Sequence, residues 1–148
     1  MMRKKGEWLM KRYFTVEEAN RQLPLIEPLL ISLQQLKREI SAKNRDLQAA
    51  KAALGSAAAE DAFFAEEAET EFLMMQANSL IAKVHEHGAE IKSVDLGLID
   101  FYTLVDGKEA YLCWKLGEPH SIRFWHGLYE GFVGRKPISL LKNAEDPE

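Results

Sequence analysis

The 148-residue sequence contains a single cysteine, Cys113, which excludes an internal disulfide framework and fits a reducing compartment. It has no apolar run near the ~20 residues that a membrane span requires. Its first residues, Met1-Met2-Arg3-Lys4-Lys5-Gly6-Glu7-Trp8, are basic but lack the apolar stretch of a secretory leader. These absences together predict a cytoplasmic protein with no membrane partner. Glycine and proline are sparse, at 9 and 5 residues, which excludes collagen-like and low-complexity chains. There is no His-Glu-x-x-His, no Cys-x-x-Cys and no Gly-Lys-Ser/Thr phosphate loop. What remains is globular: 47% hydrophobic and 28% charged residues, and enough length for one domain with its own core.

The formal charge of −4 is unevenly spread. Residues 1–14 set Arg3, Lys4, Lys5, Lys11 and Arg12 against Glu7 alone. Residues 55–88 set Lys83 against Glu60, Asp61, Glu66, Glu67, Glu69, Glu71 and Glu86. The expected organisation is a basic arm over 1–12, a single α+β domain over 13–140 and a polar tail over 141–148. A short basic arm interleaved with Trp8, Tyr13 and Phe14 could touch phosphates. The acidic remainder and the lack of a recognisable binding fold argue against nucleic acid as a partner.

Within the domain, residues 15–88 read as a helical hairpin. Thr15 and Glu18 have the spacing of a capping box, which starts a helix. Pro24 and Pro28 predict a kink or short break near Leu23. Ala19, Ile26, Leu33, Ile40, Leu47 and Leu54 recur every seven residues, the seam of a long helix packed lengthwise on another. Gly55 ends it, Ser56 can cap the next helix, and that helix runs from about Ala57 to His87 and stops at Gly88. The acids early in the second helix match Lys37, Arg38, Lys43, Arg45 and Lys51 late in the first only if the two are antiparallel.

After Gly88 the apolar period changes from seven to two. Asp106-Gly107 is a strong hairpin signal that pairs Val105 with Lys108. That register puts Ile99, Phe101, Thr103, Ala110, Leu112 and Trp114 on a core face, and Leu98, Asp100, Tyr102, Tyr111, Cys113 and Lys115 on the other. A third strand over Ser121–His126 would continue the core face with Ile122 and Phe124 and the other face with Arg123 and Trp125. The expected sheet is a three-stranded antiparallel β-meander over 89–126, packed at the open end of the hairpin. A Gly-punctuated segment follows over 127–137, its glycines read as turn residues with unusual backbone angles.

Several of these residues form motifs: Phe14-Thr15-(x)2-Glu18-Ala19-Asn20, Leu23-Pro24, Gly97-Leu98-x-Asp100-Phe101, Leu112-Cys113-Trp114-x-Leu116-Gly117-Glu118, Trp125-His126 and Gly131-Phe132-x-Gly134-Arg135. In combination, across roughly residues 10–140, they resemble an uncharacterised bacterial family, domain of unknown function 2203. The resemblance implies a shared fold and a set of motif positions, and no activity. Members of that family usually begin near the Phe-Thr motif, so residues 1–9 read as an extension or as the result of a start upstream of Met10.

Asp100, Glu118, Trp125, His126 and Arg135 form the candidate polar site, on the outer sheet face and its adjoining loops, with Cys113 and Arg123 beside it. A carboxylate and an imidazole can exchange protons, and a guanidinium can clamp an anion. The alternative is structural: Asp100 and Arg135 pair and pin the Gly-rich segment, while His126 caps a backbone group. His87, His126, Glu118 and Asp100 are the residues that could join in a metal site, without any diagnostic spacing. His85 and His87, two apart at a helix end, point to different faces. No cofactor is expected. Cys113 opposite Asp100 is a poor nucleophile, since the carboxylate charge raises its pKa.

The distal half of the hairpin, about Asn44 to Glu71, outreaches the sheet and contains Phe63-Phe64 and several alanines. Two lone helices bury little area, so hairpins from two subunits are expected to pair as a dimer. The leading functional expectation is therefore a small self-associating interaction or scaffold protein with an unidentified protein partner, rather than an enzyme. The alternative is a small-ligand- or metal-binding protein or enzyme using the Asp100 face. A mutual Asp100–Arg135 pair with no cavity would favour the first reading.

Overall fold

The computed structural model describes residues 12–55 and 62–141 of the chain. Among the described residues, two helices precede five strands, an α+β arrangement. Helix α1 spans Val16–Leu54 and opens on the expected capping box. The Thr15 Oγ1 accepts from the Glu18 N–H at 3.1 Å, and the Thr15 N–H donates to Glu18 Oε1 at 2.9 Å. The expected break at the prolines does not occur, because Pro24 and Pro28 both lie inside the continuous helix. A proline inside a helix costs about 3 kcal/mol and leaves the carbonyl four residues earlier without its donor. Leu23, Ile26 and Leu30 beside them are fully buried, and each such side chain contributes about 1.5–3 kcal/mol. Burial of that face outweighs the lost hydrogen bonds.

Helix α2 spans Phe64–Glu86. The predicted Ser56 cap and the start near Ala57 lie outside the described residues. Lys51 pairs with Glu67 at 2.8 Å and Lys43 with Glu69 at 3.5 Å, while Gln22 hydrogen-bonds His87 at 2.9 Å. Numbers fall along α1 as they rise along α2. The seven-residue seam is buried only at Ala19, Ile26 and Leu33; Ile40 and Leu47 are half-buried and Leu54 is exposed. Among the described residues, no helix is long and apolar enough to cross a membrane.

The sheet has five antiparallel strands in sequence order, not the three expected: β1 Glu90–Ser93, β2 Leu98–Val105, β3 Lys108–Lys115, β4 Phe124–Gly127 and β5 Lys136–Pro137. The β2–β3 register is the one expected, from Val105↔Lys108 to Leu98↔Lys115, around a turn with positive φ at both Asp106 and Gly107. Strands β1 and β5 escape sequence reading because they are four and two residues long and have no alternation to follow.

One face of the sheet packs on the helices. Ile99, Phe101, Leu112 and Trp114 join Phe14, Ala19, Leu23, Ile26, Leu30, Val84, Ala89 and Ile122 in one buried cluster. Two side-chain amides tie α1 to the loops. Gln34 Nε2 donates to the carbonyls of Val94 and Asp95 at 2.9 and 3.1 Å, and Asn20 Oδ1 accepts from the Ile122 N–H at 2.6 Å. The Phe14 N–H donates to the Tyr102 carbonyl at 2.7 Å, placing the start of the domain alongside β2.

Candidate functional site

Directly opposed residues in antiparallel strands share a face. Pairing therefore builds two rows on the side away from the helices. Glu90, Asp100, Cys113, Phe124 and Pro137 form one row across all five strands, and Tyr102, Tyr111 and His126 form the next. This corrects the expected alternation of the last strand. β4 begins at Phe124, so Phe124 and His126 stand on the Asp100 face, while Trp125 opposes Leu112 and packs against the core cluster. The apolar Ile122 is buried, but in the preceding loop, so it does not fix the strand's parity.

His126 Nε2 meets Asp100 Oδ2 at 3.1 Å, reaching across β3, and its Nδ1 lies 2.8 Å from the Gly127 carbonyl oxygen. Asp100 and His126 are 1% and 3% exposed, and Cys113 is fully buried. Burial lowers the imidazole pKa, but the Asp100 hydrogen bond, the Gly127 carbonyl and the Asp100 and Glu130 charges raise it, with a net upward shift. The Cys113 thiol is pushed well up, first by burial and then by the Asp100 charge. A thiol so placed is a neutral side chain and not a nucleophile. Asp100 Oδ1, Trp125 Nε1 and Arg135 Nε are buried without a hydrogen-bond partner.

The expected Asp100–Arg135 pair does not form. Arg135 donates from Nη2 to Glu118 Oε2 at 2.6 Å, and Glu118 Oε1 accepts from the Lys115 N–H at 2.8 Å. The guanidinium also stacks 3.9 Å from the Phe124 ring centroid and 4.7 Å from that of Phe132. Arg135 thus fastens the Gly-rich segment through Glu118 and two aromatic rings. In that segment only Gly131 has a positive φ, +69°. At Gly127 and Gly134 the constraint is space, since an added Cβ would lie 3.1 and 2.7 Å from Glu130 side-chain atoms. Glu130 accepts from the Gly127 N–H and from Lys136 Nζ, closing the loop.

Of the sequence-predicted residues, the structure brings Asp100 and His126 together, and Glu118 and Arg135 together. Trp125 belongs to the opposite face. His87 is bonded to Gln22 on α1 and has no place in the cluster, and Glu118 is engaged by Arg135. Among the described residues, the group able to hold a metal ion is Asp100, Cys113 and His126, with ligand atoms all within 4.8 Å of one another.

Sequence reasoning missed a tyrosine network next to this group. The Tyr102 and Tyr111 hydroxyls share a hydrogen bond of 3.1 Å, the Glu90 carboxylate lies 3.5 Å from the Tyr111 hydroxyl, and Lys92 bonds Glu90 at 2.9 Å. The signal was present for the tyrosines, which oppose each other on the Asp100 face. It was absent for Glu90, because β1 is too short to read. The Tyr102 phenol is raised by its bond with Tyr111, by burial and by Glu90; the Tyr111 phenol is raised chiefly by burial. Both favour the protonated fold, so their contribution to stability is complete below the ordinary tyrosine value of about 10 and falls as pH climbs through the raised values. Tyr102→Phe should accordingly remove phenolate absorbance that develops only above pH about 10. Loss of an ordinary titration step instead would contradict this network.

No curated protein and no solved structure matches the chain. A family model does match, over residues 12–138, which includes both helices, all five strands and every residue of the cluster. The family is described only as an uncharacterized conserved protein, and it points to no specific function. On that match, the chain belongs to the DUF2203 family.

Proposed function

We propose that the protein is a self-associating interaction module whose two helices form an antiparallel hairpin that pairs with the hairpin of a second copy. The carrying observation is the exposed stripe on α2. Phe64, Phe72 and Met75 are 75%, 58% and 67% exposed, and their spacing of eight and three residues puts them on one helix face. The opposite face of α2 meets α1 through Thr70, Leu73, Ala77, Leu80 and Val84, which are buried or half-buried.

Length supports the same reading. At 39 residues α1 extends about 58 Å, against about 27 Å for the eight-residue strands. Beyond Leu33, no residue of α1 is fully buried. The two helices leave a groove of about 290 Å³ between them, lined by Lys43, Asp46, Leu47, Ala50, Phe63 and Thr70 among others.

Light scattering at micromolar concentration is expected to give twice the 16.9 kDa chain mass. The double substitution Phe72→Glu with Met75→Glu should yield a monomer with unchanged helical circular dichroism. A wild-type mass of one chain, or a double variant that remains dimeric, would overturn the proposal.

A further inference from the structure

We propose that Asp100, Cys113 and His126 are the protein ligands of a divalent transition-metal site, suited to Zn2+. This goes beyond self-association and does not depend on it.

The first argument is the tautomer of His126. The Gly127 carbonyl can only accept, so Nδ1, 2.8 Å away, carries a hydrogen. A neutral ring then presents the lone pair of Nε2 to Asp100 Oδ2 at 3.1 Å, acceptor against acceptor. A proton or a cation must lie between them. Donation of the other ring N–H to a backbone carbonyl is also how metal-bound histidines are oriented.

The second argument is Asp100 Oδ1, which has no partner although the residue is 1% exposed. A buried carboxylate oxygen without a hydrogen-bond partner is costly. A proton shared with His126 satisfies one oxygen only, whereas a coordinated cation lowers the cost at both. The third is the donor set. Imidazole nitrogen, thiolate sulfur and carboxylate oxygen together select Zn2+ and its transition-metal neighbours over Mg2+ or Ca2+, which take oxygen ligands.

Bond lengths of about 2.0–2.3 Å at tetrahedral angles put ligand atoms roughly 3.4–3.6 Å apart. The three atoms here lie within 4.8 Å of one another, so a shared cation requires their separations to close by no more than about 1.4 Å. Two anionic ligands balance the divalent charge. Binding displaces the thiol proton to solvent, along with the second imidazole proton where His126 is cationic. Three protein ligands leave one tetrahedral position for water.

The test uses the full chain, stripped with a chelator and titrated with Co2+. The expected result is a thiolate-to-cobalt absorption band that saturates at one equivalent and is abolished by Zn2+. Since Cys113 is the sole cysteine, such a band assigns the ligand without any substitution. Cys113→Ala, a small apolar replacement in a buried site, should lose the band and weaken Zn2+ binding by more than about tenfold. A joint His85→Gln and His87→Gln variant should bind as wild type. Absence of the band in the folded wild-type chain would overturn the site, as would Zn2+ binding unchanged in Cys113→Ala or lost in the His85/His87 variant.

Discussion

Trp114→Ala should lower the unfolding free energy by about 3–5 kcal/mol, the range for removing a large aromatic from a packed core. Trp114 is fully buried, opposes Ile99 on β2 and belongs to the cluster shared with α1. Its Nε1–H donates to the Pro119 carbonyl at 2.8 Å, so truncation also strips that oxygen of its donor. The affected loop holds Glu118, and through it Arg135. Loss of Trp114 should therefore loosen the cover of the Asp100 face as well as the core. Trp114→Phe keeps most of the buried area and loses the bond, so its cost should be clearly smaller. Chemical denaturation followed by far-ultraviolet circular dichroism measures both. An alanine variant within about 1 kcal/mol of wild type would contradict this core assignment.

Gly88→Ala should be comparably severe for a different reason. Gly88 has a φ of +95°, and a Cβ there would sit 2.0 Å from Phe14 Cζ and 2.5 Å from Cε1. The Phe14 ring cannot retreat easily, being 2% exposed and packed 5.0 Å from the Phe101 ring. Left-handed strain of about 1–2 kcal/mol adds to overpacking of about 1–3 kcal/mol. Gly117→Ala separates the two, because φ there is +102° but nothing lies within 4 Å of the added atom. Gly117→Ala should cost only the backbone strain. Equal destabilisation of the two variants would mean that Phe14 gives way and the steric argument fails.

Thr15 and Glu18 announce the start of α1 because capping is local chemistry. Asp106-Gly107 fixes eight residue pairs because a two-residue turn leaves no freedom of register. The continuity of α1 through Pro24 and Pro28 was illegible. Local propensity forbids what Leu23, Ile26 and Leu30 recover by packing on distant strands. At β4, Ile122 mimics the first core residue of a strand while being held in a loop by Asn20. That one-residue ambiguity reverses every side chain after it, so alternation counted from Ile122 puts Trp125 on the wrong face. The Asp100–His126 contact follows from the corrected parity. Its burial does not, since cover for the outer face comes from segments that a pattern of alternating residues does not describe.

The outermost strands have a consequence of their own. A sheet rim with free N–H and C=O groups is a template for a foreign strand, and hence for aggregation. Here β5 is two residues long and ends in Pro137, which has no N–H to offer. At the other rim, β1 carries the Glu90–Lys92 pair and an irregular register between Ile91 and Ser93. Both rims are thus poor seeds for edge-to-edge stacking. Growth by strand addition is therefore disfavoured at either rim of the sheet, whatever the helices do.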